Sequence, residues 1–232
     1  MKMKKAEIFL TGVLLVAGLT ACGTSGSASF ADSQSGATKQ AAQVDADAGA
    51  SIKGAAVQEK ENTGTSRIAI VYFSEPETES PASVQGATQY IAQTIQERTC
   101  GDLFRITPKE SYPIQHTALV AQAKVEVTAG ARPAVQPVNA DWSKYDTIFI
   151  GYPIWWGDLP RPVYTFLESQ DFSGKHIVLF STHGGSGLAG TVETITTKEG
   201  NANVNPNAFT VSRNEVMQAG PAAVSWLHSI GF

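Results

Sequence analysis

From residue 67 onward, short apolar runs alternate with longer segments in which apolar residues recur every three or four positions. The run 67–73 (Arg-Ile-Ala-Ile-Val-Tyr-Phe) is continuous, the pattern of a strand covered on both faces. Stretches 102–106, 147–151, 175–180 and 208–211 predict four further strands. Between them, 87–98 has helical spacing through Tyr90, Ile91, Thr94 and Ile95, and 116–128 through Leu119, Val120 and Ala123. Segment 163–169 turns Val163, Phe166 and Leu167 inward, 191–198 is a weaker helix, and 221–230 buries Ala223, Leu227 and Ile230. Residues 131–137 form a connection into the third strand. Strand and helix in alternation predict an α/β fold, a five-stranded parallel sheet with helices on both faces. A full dinucleotide fold would have six strands.

The first 66 residues follow another pattern. Three lysines lie within residues 1–5, and 8–21 is an apolar segment too short to span a bilayer comfortably. Residues 22–66 are mostly Ala, Gly, Ser, Thr, Gln and Asp, with almost no large apolar side chain from 23 to 65 beyond Phe30 and Ile52. Such a chain buries too little surface to offset the entropy of ordering, and predicts a tether with a reach of roughly 35 Å. The expected organisation is thus a signal peptide at 1–21, a tether at 22–66 and a folded domain at 67–232.

Composition removes several functions. A net charge of −4 over 232 residues, with no basic stripe, argues against nucleic acid as the main partner. Two cysteines exclude a disulfide scaffold, and His116, His176, His183 and His228 lack metal-site spacing.

Parallel strands open the loops after the first, third and fourth strands at one sheet edge, where ligands of open α/β sheets bind. The first loop leads from Ser74 to Gly86-Ala87-Thr88-Gln89, a helix start whose free N–H groups and dipole suit an anion. Plain N-capping by Ser83 or Thr88 would explain the same residues. The second loop, Pro153-Ile154-Trp155-Trp156-Gly157, places two indoles just past a strand, either for a planar ligand or to cap the core. The third runs from Ser181 through Thr182-His183-Gly184-Gly185-Ser186-Gly187, where glycines let backbone amides approach a ligand and His183 and Ser186 offer side-chain bonds.

Two motif matches in that third loop are set aside. Gly185-Ser-Gly-Leu-Ala-Gly190 fits G-x-G-x-x-G, but it follows the fourth strand, where a dinucleotide domain carries the motif in its first βα unit. Gly184-Gly-Ser-Gly-Leu188 approaches a nucleophile elbow, with Leu188 in the place of its last glycine.

Leu19-Thr20-Ala21-Cys22 resembles the lipobox of bacterial lipoprotein signal peptides, which implies lipid attachment at Cys22, export and anchoring to a cell membrane. Ile70-Val-Tyr-Phe-Ser74, Gly86-Ala-Thr-Gln89, Tyr145-Asp-Thr-Ile-Phe-Ile-Gly-Tyr-Pro-Ile-Trp-Trp-Gly157 and Ser181-Thr-His-Gly-Gly-Ser-Gly187 together resemble the flavodoxin family, specifically its bacterial branch with Gly-Tyr-Pro-x-Trp-Trp and Thr-His-Gly-Gly-Ser-Gly loops. The resemblance implies a flavodoxin-like three-layer sandwich that binds FMN. Ser74, Gly86, Ala87 and Thr88, with Gln89 beside them, would hold the phosphate. The segment from Pro153 through Ile154 to Gly157 would line one side of the ring system, with Trp156 or Trp155 stacking on it. Thr182, His183, Gly184, Gly185, Ser186 and Gly187 would meet its other edge. The chain departs from the family in the stretch 75–85, which interrupts the compact phosphate loop, and in Ala87. That stretch is expected to arch away and leave Ser74 and residues 86–88 to close the nest.

The function so implied is that of an exported, membrane-tethered FMN protein carrying electrons to and from an unknown redox partner. Alternatives are an NAD(P)H-dependent quinone-type reductase on the same fold, and a non-redox binding module whose flavin site has decayed.

Overall fold

The computed structural model describes residues 67–76 and 85–232. The expected signal peptide, tether and Cys22, and the arch of the inserted stretch at 77–84, lie outside the described residues. The chain runs β1 (Ile68–Tyr72), α1 (Ala87–Thr99), β2 (Asp102–Arg105), α2 (His116–Ala129), β3 (Thr147–Pro153), α3 (Arg161–Glu168), β4 (His176–His183), α4 (Thr191–Lys198), β5 (Asn203–Val204), β6 (Phe209–Ser212) and α5 (Gly220–Ser229). All strand pairings are parallel, in the order β2-β1-β3-β4-β5, with β6 also on β4.

Strand alternation explains why the apolar runs are unbroken. Ala69, Val71 and Phe73 point to one face with Ile148, Ile150, Ile177 and Leu179, under Leu119 of α2, Phe166 and Leu167 of α3, and Ile195 of α4. Ile70 and Tyr72 point to the other with Phe149, Val178 and Phe180, under Ile91 and Ile95 of α1 and Trp226 and Leu227 of α5. Each large side chain removed from water contributes about 1.5–3 kcal/mol, so both faces need apolar residues.

Helix ends follow local chemistry. Cys100 takes a left-handed conformation (φ 54°) and its N–H donates to Gln96 O at 2.8 Å, closing α1. α3 opens on Pro160 with Pro162 in its first turn, where a missing N–H costs nothing.

The larger departures from expectation have physical reasons. β3 continues to Pro153 and β4 to His183, so Ser181, Thr182 and His183 are strand residues rather than loop. Their polar atoms are satisfied sideways: Ser181 Oγ lies 2.8 Å from Thr210 Oγ1, and Thr182 Oγ1 2.8 Å from Thr88 Oγ1. The fifth sheet position is divided between β5, beside the start of β4, and β6, beside its end. Between them lies Pro206, which has no N–H for a ladder, and Asn207, whose carbonyl accepts from Trp226 Nε1 at 3.0 Å.

Candidate functional site

Thr182 is where the three strand ends meet. It is 2% exposed; its hydroxyl bonds Thr88 of α1, and its carbonyl accepts the N–H of Ile154 at 2.8 Å. The first strand end is joined to α1 by Ser74, also 2% exposed, whose Oγ accepts the N–H of Gln89 at 3.2 Å. Gly86 packs so tightly against that hydroxyl that a Cβ there would stand 2.2 Å from Ser74 Oγ and 2.8 Å from the Glu75 carbonyl oxygen.

Gly86 at the N-cap offers no side chain and Ser74 Oγ takes only the Gln89 amide, so among the described residues the N–H groups of Ala87 and Thr88 make no hydrogen bond. Two amides and the positive end of a 13-residue helix are thus left for an anion. The Thr88 hydroxyl, expected to serve that anion, is turned to Thr182 instead and is 1% exposed. Beside the nest, Arg105 Nη2 donates to Ser74 O at 2.7 Å and lies 3.6 Å from Glu75 Oε1. Burial raises the Glu75 carboxyl above the ordinary range, and Arg105 partly opposes that.

Past β3 the chain reverses in four residues. The Trp155 N–H donates to Asp158 O at 2.9 Å and the Asp158 N–H to Trp155 O at 3.1 Å, with Trp156 at φ 54° and Gly157 at φ 75° between them. Two positive φ values in a two-residue loop make a type I′ turn. A tryptophan in that conformation costs about 1–2 kcal/mol. Asp158 holds the turn: Oδ1 accepts from Tyr164 Oη and from the Leu159 N–H, each at 2.7 Å, and Oδ2 from Arg161 Nη2 at 3.0 Å.

The two indoles have different surroundings. Trp155 is half-buried, edge-on to Phe73 (5.2 Å between centroids) and Tyr112 (5.1 Å). Tyr112 Oη donates to Glu126 Oε2 at 2.6 Å, and burial first, then that bond, holds its phenol well above the ordinary range. Trp156 is 50% exposed, donates from Nε1 to Val120 O at 2.9 Å, and has the Lys124 ammonium 4.7 Å from its ring centroid. Of the pair, Trp156 has the more open ring.

Past β4, His183 Nδ1 accepts the Gly185 N–H at 2.9 Å, which places the proton of the neutral ring on Nε2. Gly184, Gly185 and Ser186 are exposed, and a Cβ at Gly184, Gly185 or Gly187 would meet nothing within 4 Å. These glycines are therefore not there for packing; their backbone faces open space. Pro153 and Ile154 sit under the loops, paired with or bonded to Thr182. Two cavities, about 170 Å³ bordered by Asp171, Lys198 and Asn201 and about 270 Å³ bordered by Val135, Pro137 and Phe166, lie away from this edge and collect none of the three loops.

Nearly every candidate residue inferred from sequence therefore lies at or just beneath one edge, with the Thr88 hydroxyl turned inward to Thr182. Sequence reasoning missed Arg105, Asp158 and Lys124. A charged residue inside the otherwise apolar Leu-Phe-Arg-Ile run was the available signal for Arg105. For Asp158 it was the 158, 161, 164 spacing of Asp, Arg and Tyr on one helical start.

A family profile described as "Flavodoxin" matches residues 79–218. The chain is similar to a solved structure from Bacteroides eggerthii DSM 20697 described as a flavoprotein, with 27% identity, TM-score 0.58, and 72% of this chain and 99% of that one covered. A second such structure, from Bacteroides uniformis ATCC 8492, shares 28% identity with TM-score 0.54 over 66% of this chain and 96% of that one. A flavoprotein in complex with FMN from Lactobacillus acidophilus NCFM shares the fold at 21% identity and TM-score 0.51, over 66% and 97% of the two chains. No curated protein matches significantly.

Proposed function

We propose, on the premise that the chain belongs to the flavodoxin family, that it binds FMN at the loop edge and passes electrons between redox partners. One observation carries the reading: a helix start with two unbonded amides, an exposed indole on a strained turn and a glycine loop facing open space all converge on Thr182. Each suits one part of the ligand. The Ala87 and Thr88 amides would take the phosphate, the Trp156 ring would lie against the ring system, and amides of 184–187 would meet its polar edge. That the Lactobacillus protein of the same fold is a complex with FMN supports this choice. The bound flavin supplies the electron chemistry; the residues around it bind, orient and shield. Export and a lipid anchor at Cys22 are supported by the lipobox-like Leu19-Thr20-Ala21-Cys22, and Cys22→Ala should release the protein from membranes.

The test is to mix the full chain with FMN and dialyse. Retained flavin absorption with quenched flavin fluorescence, weakened in Trp156→Ala, is the expected result. Complete loss of flavin from the wild type would overturn the reading.

A further inference from the structure

A cation stands at the end of β2, beside the open N-terminus of α1. Arg105 pairs in register with Tyr72, which belongs to the sheet face beneath α1. Neighbouring residues of parallel strands share a face, so the Arg105 side chain rises on the α1 side. Its Nη2 reaches Ser74 O at 2.7 Å, and Ser74 Oγ in turn takes the Gln89 N–H. Gly86 brings the helix start into contact with both Ser74 and Glu75. The guanidinium and the start of α1, with its unbonded Ala87 and Thr88 amides, therefore both adjoin Ser74 and Glu75.

The Glu75 side chain is 15% exposed, against 38% for Arg105. Its one ion pair among the described residues is this 3.6 Å contact with Arg105, too long for a hydrogen bond. Tyr112 also feels its charge and cannot offset it, being a neutral phenol held above its ordinary range. A mostly buried carboxylate thus stands beside the helix start, with this long contact to Arg105 as its one ion pair among the described residues. Guanidinium binds phosphate oxygens with short, directional, charge-assisted bonds, and a phosphate monoester carries more charge than a carboxylate.

We propose that Arg105 is an anion-binding residue of this site, reaching a phosphate monoester held at the start of α1, and that Glu75 occupies the guanidinium when no phosphate is present. The proposal rests on the FMN reading only for the molecule that carries the phosphate. The pair would make affinity depend on an exchange of partners by Arg105, and would discriminate phosphorylated from unphosphorylated flavin.

The experiment measures binding of FMN, riboflavin and inorganic phosphate to the full chain and to Arg105→Met, Arg105→Lys and Glu75→Gln. Arg105→Met should weaken FMN binding roughly 10- to 100-fold, the weight of a charged hydrogen bond, while riboflavin changes less than about twofold. Arg105→Lys should recover part of the loss, and Glu75→Gln should tighten FMN several-fold by removing the competing carboxylate. FMN binding by Arg105→Met at wild-type strength, or equal losses for FMN and riboflavin, would overturn the proposal. If the wild type takes up neither flavin, the FMN reading fails and phosphate alone decides. A rise in Tm with phosphate that Arg105→Met lacks upholds Arg105, and equal rises or none overturn it. Should Arg105→Met not fold, Arg105→Lys and Glu75→Gln give the same decision: altered FMN-over-riboflavin preference supports the assignment, and unchanged preference ends it.

Discussion

Thr88 Oγ1 and Thr182 Oγ1 lie 2.8 Å apart, both essentially sealed from solvent, and so the first turn of α1 is bonded directly to the end of β4. Ninety-four residues separate them in the chain. The bond fixes the anion nest relative to the glycine loop, so stability and ligand geometry are coupled through it. Thr88→Val should cost about 1–3 kcal/mol, because Thr182 keeps a buried hydroxyl without its partner, and Thr88→Ser should cost less. The double variant Thr88→Val/Thr182→Val should lose less than the sum of the singles. Urea unfolding of the four proteins checks this; strict additivity would mean the two hydroxyls do not interact in solution.

Two glycines at the same edge should respond differently to alanine. At Gly86 the added methyl would meet Ser74 Oγ at 2.2 Å and the Glu75 carbonyl at 2.8 Å, so α1 itself must move. Gly86→Ala is expected to cost about 1–3 kcal/mol and to weaken FMN retention at the same time. At Gly157 nothing lies within 4 Å and only the φ of 75° resists, so Gly157→Ala should cost about 1 kcal/mol. Thermal unfolding with and without FMN separates the two effects.

The apolar runs located β1, β3 and β4, because a strand buried on both faces has no polar positions to confuse its pattern. The same rule hid the ends of those strands. Ser181, Thr182 and His183 look like loop, yet Ser181 and Thr182 bond to Thr210 and Thr88 across the sheet edge, which no local pattern reveals. The site's loops were legible through their glycines and indoles. Its charged members were not, since Arg105 acts on Ser74, 31 residues away. Trp226 escaped for a related reason: its buried ring extends the α5 stripe of Ala223 and Leu227, while its Nε1 is satisfied by Asn207 O.

Asp158 should decide whether Trp156 is presented at all. Its carboxylate accepts three hydrogen bonds, and its partner Arg161 is only 11% exposed, with Nε buried and unbonded among the described residues. Asp158→Ala therefore leaves a mostly buried guanidinium without its anion and a strained turn without its clamp. A loss of about 2–4 kcal/mol is expected, whereas Tyr164→Phe, which removes one bond, should lose about 1 kcal/mol. Freed from the turn, Trp156 should become more accessible to acrylamide in Asp158→Ala, and the difference should vanish when Trp156→Phe is added. Equal quenching in wild type and Asp158→Ala would show that the turn holds its shape without the carboxylate.

Acid should act on the fold through Glu168. Arg132 Nε and Nη2 donate to its two oxygens at 2.7 and 2.9 Å, and Lys198 Nζ donates at 2.8 Å. The Arg132 bonds first, then Lys198, draw the carboxyl down to about 2. A depressed carboxyl stabilises the native state only while it is ionised there, so its contribution is complete above about pH 4.5, the unfolded value, and lost as pH falls through about 2. With 40% of the side chain in solvent, screening makes the effect much smaller than a buried pair would give. Glu168→Gln should consequently unfold slightly more easily than wild type at pH 6. The two proteins should converge between pH 4.5 and 2, and added salt should narrow the gap at pH 6. Urea midpoints measured across that range test it. A gap that persisted at pH 2 would assign the effect to the shape of the side chain instead of its charge.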